Sequence, residues 1–207
     1  MRKFIVATKN KGKLKEIGEI LKSLPFEVVS MEDVGISKDI EEYGSTFEEN
    51  ALIKAREVHR LTGETVMADD SGLEVDYLNG APGIYSARFA GEEATDEDKN
   101  KKLLLLLKDV PFEKRTARFI CAIAVVFSDS KEFTVKGICE GFMAGEPKGT
   151  HGFGYDPLFF LPEYNMTTAE MSPTEKHKIS HRGKALGLMV EQLKISNSKV
   201  SDFRIGG

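Results

Sequence analysis

The chain has 207 residues, 41% of them apolar and 30% charged, with a formal net charge of −4. That balance suits one globular domain with a substantial core, and no global basic field drives nucleic-acid binding; with no apolar run near 18 residues, a membrane-spanning helix is not expected either. Two cysteines, Cys121 and Cys139, lack Cys-x-x-Cys spacing and read as buried free thiols rather than a zinc site.

The first strand is expected over Lys3 to Thr8; its apolar run is too short for a signal peptide, and the expected location is cytoplasmic. Residues 11–24 read as a helix, since Leu14, Ile17, Ile20, Leu21 and Leu24 recur at helical spacing and Pro25 closes the run. Phe26 to Met31 reads as a second strand, followed by an irregular polar stretch to residue 45. Thr46 and Glu49 give the capping-box pattern of a second helix, with Ala51, Leu52, Ala55 and Val58 on its apolar side and Gly63 at its end. Thr65 to Ala68 reads as a strand that runs out into a turn at Asp69-Asp70-Ser71-Gly72.

Residues 72–94 hold four glycines and little periodicity, which suggests a functional loop or connector. Thr95 to Lys108 reads as a helix whose leucine run, Leu103 to Leu107, covers more than one face and points to deep burial or an interface. Arg115 to Phe127 and Phe133 to Phe142 form a hairpin that could set the two cysteines opposite each other. Leu158 to Leu161 is a short strand, and Ser180 to Lys194 the last helix. The alternation predicts an α/β fold with parallel pairing at its centre and an antiparallel extension: a single domain, residues 1–207, with two lobes around a cleft.

Five segments could carry chemistry. The adjacent acids Asp69 and Asp70 repel each other, so a cation is expected beside them; magnesium suits hard oxygen ligands and a substrate phosphate. Thr8-Lys9-Asn10-Lys11-Gly12-Lys13 lies between a strand and a helix, where free N–H groups and lysines favour an anion, although its spacing is not that of a Walker A loop. Glu41 or Glu42 could complete a metal shell with Asp69 or Asp70, and Lys54 could point toward phosphate. In Gly149-Thr150-His151-Gly152-Phe153-Gly154-Tyr155-Asp156-Pro157, Phe153 or Tyr155 could stack on a base and Asp156 accept a base N–H. Lys176 and Ser180-His181-Arg182-Gly183 supply donors at a helix start.

These residues fall into an ordered set: Thr8-x-Asn10-x-x-Lys13, Phe47-x-Glu49-Asn50-Ala51 with Lys54, Ala68-Asp69-Asp70-Ser71-Gly72-Leu73, Gly80 to Arg88, Gly152 to Pro157, and Ser180 to Gly183. The set resembles the inosine triphosphate pyrophosphatase family, bacterial type, through nearly the whole chain. The resemblance implies a long central β-sheet flanked by helices, with a substrate cleft between two lobes. It also implies hydrolysis of ITP, dITP and XTP to the monophosphate and pyrophosphate, a magnesium requirement, and a homodimer.

On that reading Asp70 activates water, directly or through the metal shell, and magnesium is held by Asp70 and Glu41 or Glu42 with Asp69 assisting. Thr8, Asn10, Lys13 and Lys54 hold the triphosphate; Lys9, Lys11, Gly12, Ser71 and Lys176 stand beside it or the base. Donors from His181, Arg182 or the Phe153–Asp156 backbone meet the purine O6, so Arg182→Ala is expected to weaken the preference for ITP over ATP. A rival within the same chemistry is a Maf-type pyrophosphatase acting on pyrimidine or modified triphosphates. A binding module without turnover and a nucleic-acid-binding protein are the rivals of other classes.

Overall fold

The computed structural model describes residues 2–22 and 26–201; Leu24 and Pro25, the expected end of the first helix, lie outside them. In chain order the elements are β1 (Arg2–Val6), α1 (Lys11–Leu21), β2 (Phe26–Ser30), α2 (Phe47–Thr62) and β3 (Thr65–Val75), then α3 (Asp96–Leu106), β4 (Thr116–Val126) and β5 (Glu132–Met143). The chain continues through β6 (Phe159–Leu161), β7 (Met166–Thr167), α4 (Pro173–Ile179) and α5 (His181–Ser201). Among the described residues seven strands form one mixed sheet in the order β2-β1-β3-β4-β5-β6-β7.

The parallel pairs are β1–β2 and β1–β3, at one end of the sheet rather than its centre. Helices α1 and α2 make the crossovers among the first three strands; from β3 onward every pairing is antiparallel, although α3 also lies between β3 and β4. The middle of the sheet is therefore the long antiparallel set β3, β4 and β5. Asp69 and Asp70 do not sit in a turn. Strand β3 runs straight through them, with Asp69 opposite Ile123 and Asp70 opposite Ala122 of β4. Turn-forming residues are here held extended by a full ladder of partners, an override of local preference by tertiary pairing.

The pleat then decides what each acid meets. Successive side chains of a strand face opposite sides of the sheet. Asp69 shares its side with Met67, in the core that Ile17 and Leu21 of α1 build with Ala185, Leu186 and Met189 of α5. Asp70 shares its side with Val66 and Ala68, in the core formed with Phe47, Ala51, Ala55 and Val58 of α2. A third cluster packs Leu103 of α3 and Leu107, just past its end, against Leu73, Val75, Met143 and Phe159. The leucine run is thus buried on one helix face only; Leu105 and Leu106 are exposed.

Caps explain several boundaries. The Thr46 side chain accepts from the Glu49 N–H, but the Glu49 carboxylate accepts from the N–H and hydroxyl of Ser45, so only half of the expected box forms. Helix α4 was not anticipated, although Ser172-Pro173-Thr174-Glu175 is a capping box with proline at the first helical position. Cys121 lies opposite Gly137 and Cys139 opposite Phe119, so the hairpin does not set the two thiols face to face; both are buried and free.

Gly137 fixes how close α5 comes to the sheet. A Cβ there would fall on the carbonyl oxygen of His181 and the backbone nitrogen of Ala185. Backbone cannot swing aside as a side chain can, so Gly137→Ala is expected to cost about 1–3 kcal/mol through overpacking. A lowered urea midpoint would register it, and because the first turn of α5 carries His181 and Arg182, turnover is expected to fall with it.

Candidate active site

A cavity of about 560 Å³ opens beside the carboxyl ends of the parallel strands, a size typical of small-molecule sites. It gathers Thr8 to Lys13, Glu42, Lys54, Asp70, Ser71, Phe153 to Asp156, Lys176, His181 and Arg182. Segments far apart in the chain, anticipated one by one, thus share a single wall. Two anticipated residues do not line it. Glu41 is exposed outside the lining, which leaves Glu42 as the glutamate at the cavity. Asp69 is fully buried on the opposite face of β3 from Asp70, so the two acids do not form one oxygen pair.

Around Asp70 the geometry is simple. Lys54, from the middle of α2, donates to Asp70 Oδ1 at 2.9 Å and pairs with Glu42 Oε1 at 2.8 Å. It also donates to the Asp69 carbonyl oxygen at 3.0 Å. Asp70 Oδ2 is buried and has no hydrogen-bond partner. Burial raises the Asp70 carboxyl above its ordinary value; Lys54 and Lys13 pull it down and the Glu42 charge adds to the rise. For Lys54, burial opposes the charge, but Asp70 and Glu42 outweigh it and raise its pKa.

Behind the cavity runs a buried line of alternating charges. Lys176 Nζ bonds Asp156 Oδ2 at 2.6 Å and Glu16 Oε1 at 2.9 Å. Glu16 Oε2 accepts from Arg182 Nη1 at 2.5 Å, and Arg182 Nε donates to Asp69 Oδ2 at 2.8 Å. Lys13 Nζ closes the line on Asp69 Oδ1 at 2.6 Å. Three carboxylates meet three cations, which is how ionised groups are tolerated out of water. Burial works against the Asp69 charge, but Arg182 and Lys13 hold its carboxyl well below the usual range. Glu16 is lowered in the same way, its burial outweighed by Arg182 and Lys176.

Arg182 is therefore first a structural cation: three of its five N–H groups go to Asp69, Glu16 and Ser71. The Phe153 ring lies over Lys176 Nζ at 5.4 Å and over Arg182 Cζ at 5.6 Å, against Gly12 of the first turn of α1. His181 stacks on Phe119 with ring centroids 4.7 Å apart. Burial, then the charges of Arg182 and Lys176, hold its pKa well below the ordinary value, so the ring is neutral at pH 7.

Glu16 escaped the sequence reading. The signal was its position, one helical turn from Lys13 and beside Ile17 on the inward side of α1, where a carboxylate needs a buried partner. Ser86 lies within the Gly80 to Arg88 motif. Its hydroxyl accepts from the Leu73 N–H at 2.9 Å and donates to the Gly83 carbonyl at 2.6 Å, while its own carbonyl accepts from the Tyr155 hydroxyl. The 83–88 turn is thereby knitted to β3 and to the Phe153–Asp156 loop. Asp96 and Asn100 of α3 grip that loop from outside, at the N–H and carbonyl of Gly154.

Among the described residues no group of three or more His, Cys, Asp or Glu is arranged to hold a metal alone. The donors present fit magnesium nonetheless. That ion is commonly bound by one or two carboxylates together with substrate phosphates. Asp70 with its unpartnered oxygen, and Glu42 sharing the same lysine, supply two such carboxylates.

The profile of the Ham1 family matches residues 4–192. A protein of Geobacter sulfurreducens named dITP/XTP pyrophosphatase is 51% identical over 193 residues, covering 93% of this chain and 97% of its own. One of the same name from Caldanaerobacter subterraneus is 55% identical over 187 residues, covering 90% and 93%. The solved structure of a HAM1 protein from Coxiella burnetii superposes with a TM-score of 0.85 at 42% identity, covering 94% of this chain and 99% of that one. The Staphylococcus aureus Ham1 protein gives 0.85 at 39% identity, covering 94% and 100%.

Proposed function

This chain belongs to the Ham1 family, and we propose from that premise that its cavity hydrolyses deaminated purine nucleoside triphosphates (ITP, dITP and XTP) to the monophosphate and pyrophosphate. The observation that carries the reading is the pairing, in one cavity, of an unpartnered buried carboxylate oxygen with an aromatic wall. The first suits proton removal from water; the second suits a base. The role that follows is removal of damaged purines from the nucleotide pool.

The residues divide the work along the cavity. The start of α1 offers free backbone N–H groups, and Thr8, Asn10, Lys13 and Lys54 add donors for a triphosphate. Water attacks in line with the bond between the α- and β-phosphates, and its proton passes to Asp70, the general base, while pyrophosphate leaves. With no metal bound, burial raises the Asp70 carboxyl above its ordinary value. Asp70 and Glu42 would hold magnesium, which when bound neutralises phosphate charge and polarises the reacting phosphoryl group.

At the other end the base stacks on Phe153. Neutral His181 and the remaining N–H groups of Arg182 donate to O6 of hypoxanthine or xanthine. Adenine would turn its amino group toward those donors, and leaving buried polar groups unpaired is what gives strong discrimination. We also assign the working form as a cytoplasmic homodimer. Two free buried thiols suit a reducing compartment, and exposed Leu105 and Leu106 supply apolar surface for a second copy. Among the described residues no helix is long and apolar enough to cross a membrane.

The test is pyrophosphate release from ITP, XTP, GTP, ATP and TTP, with and without magnesium. Metal-dependent release from ITP and XTP at least ~100-fold faster than from ATP is expected. A preference for TTP would move the assignment to a Maf-type activity, and no release from any nucleotide would leave a binding role.

A further inference from the structure

Lys54 is bonded to the two carboxylates that would hold the metal. Its ammonium has three donors, and three oxygens take them: Asp70 Oδ1 at 2.9 Å, Glu42 Oε1 at 2.8 Å and the Asp69 carbonyl at 3.0 Å. The side chain is 12% exposed, so the bonds are not loosened by bulk water. A divalent cation seated on the same two carboxylates would lie within a few ångströms of this charge. In a partly desolvated site that repulsion is well above thermal energy. With Lys54 in place the cradle carries a net single negative charge; with Lys54 withdrawn it carries two. Asp70 Oδ2, buried and without a partner, is the oxygen already waiting for a second ligand.

A lysine has a flexible stem and a compact charge, so it can exchange carboxylates for phosphate with little rearrangement of its helix. We propose that Lys54 is a place-holder for the metal: its ammonium fills the oxygen cradle of the free protein and moves to the triphosphate when substrate arrives, so that metal and nucleotide bind with positive coupling. This rests on the magnesium-assisted pyrophosphatase reading above. By linkage, each ligand tightens the other by the same factor. The consequence is that magnesium alone leaves the site largely unfilled, and the nucleotide admits it.

The experiment is Mn2+ binding, followed by electron paramagnetic resonance, with and without the α,β-methylene analogue of ITP. The expected result is weak binding to the free wild-type protein and binding roughly tenfold or more tighter to free Lys54→Met, a shift within the usual range of couplings between sites. Coupling between Mn2+ and the analogue should shrink in that variant by the same factor. Equal Mn2+ affinity of the two free proteins would overturn the place-holder and leave the metal site standing. Absence of Mn2+ binding from both proteins even with saturating analogue would remove the metal site, and the proposal with it. Should Lys54→Met fail to fold, the 15Nζ resonance of Lys54 in the wild-type chain gives the same answer. It is expected to move with magnesium and analogue together and to stay with magnesium alone; movement with magnesium alone at the same concentration would overturn the proposal.

Discussion

Asp70→Asn is expected to lower pyrophosphate release from ITP by about 10²–10⁴-fold, the usual contribution of a general base, in a protein that remains folded. The two halves of that expectation have separate causes. The amide oxygen of Asn can still accept from Lys54, as Asp70 Oδ1 does at 2.9 Å, so the local packing survives. What it cannot do is take a proton from water or supply a charged oxygen to a cation. Stability has its own sign. Burial raises the Asp70 pKa in the folded chain, so the fold prefers its neutral form. The stabilisation is present below the unfolded pKa and lost as pH rises through the folded one. At neutral pH the ionised carboxylate therefore weighs against folding, and a neutral isostere removes that weight. The variant should show a urea midpoint at or above that of the wild type. Turnover near the wild-type value would take Asp70 out of the mechanism.

The same residue shows where sequence reasoning holds and where it stops. That Asp69-Asp70 needs a nearby cation was legible from charge alone, because adjacent acids repel. That they lie inside a strand was not. Asp, Ser and Gly are turn formers by local physics, and the ladder to β4 that overrides them is supplied by residues some 50 positions away. Once the strand is known, its two-residue period separates the acids: Asp69 goes to the buried ion line and Asp70 to the cavity. A shared oxygen site is ruled out by that alone. The choice between Glu41 and Glu42 was hidden for a different reason, since both lie in irregular chain where no period predicts a direction.

The hairpin arms and helix α2 followed their apolar spacing closely, and Gly63, Thr46 and Thr95 cap where their chemistry says they should, whereas α4 had no counterpart and α5 runs on to Ser201, beyond the expected end at Lys194. The position of the parallel strands was misplaced because local alternation reveals crossovers but not how far an antiparallel sheet extends beyond them. The ion line was legible least of all. Each of its members is an ordinary surface residue by type, and only the folded chain brings Glu16, Lys176 and Arg182 together.

Arg182 carries the second large effect, and the structure changes its kind. From the sequence, Arg182→Ala is a specificity variant; in the fold it first breaks a buried network. Arg182 is 2% exposed and joins Glu16, Asp69 and Ser71. Its removal leaves Lys13 as the cation at Asp69, beside the Ser71 hydroxyl and the Cys121 thiol, and Lys176 as the cation at Glu16, and opens a void beneath Phe153. Breaking a buried pair by removing one partner costs about 3–5 kcal/mol. For a chain of this length that is on the order of 10 °C in melting temperature. Arg182→Lys keeps the charge but not the planar fork that reaches three partners, so an intermediate loss is expected. Thermal melting of both variants, with KM for ITP and ATP measured well below the transition, separates the roles. A wild-type melting temperature with only the ITP-to-ATP ratio altered would make Arg182 a reader of the base and not a member of the frame. A large thermal loss with Lys in between means that the cation positions Phe153 and Asp69, and that base selection depends on a wall whose rigidity Arg182 supplies.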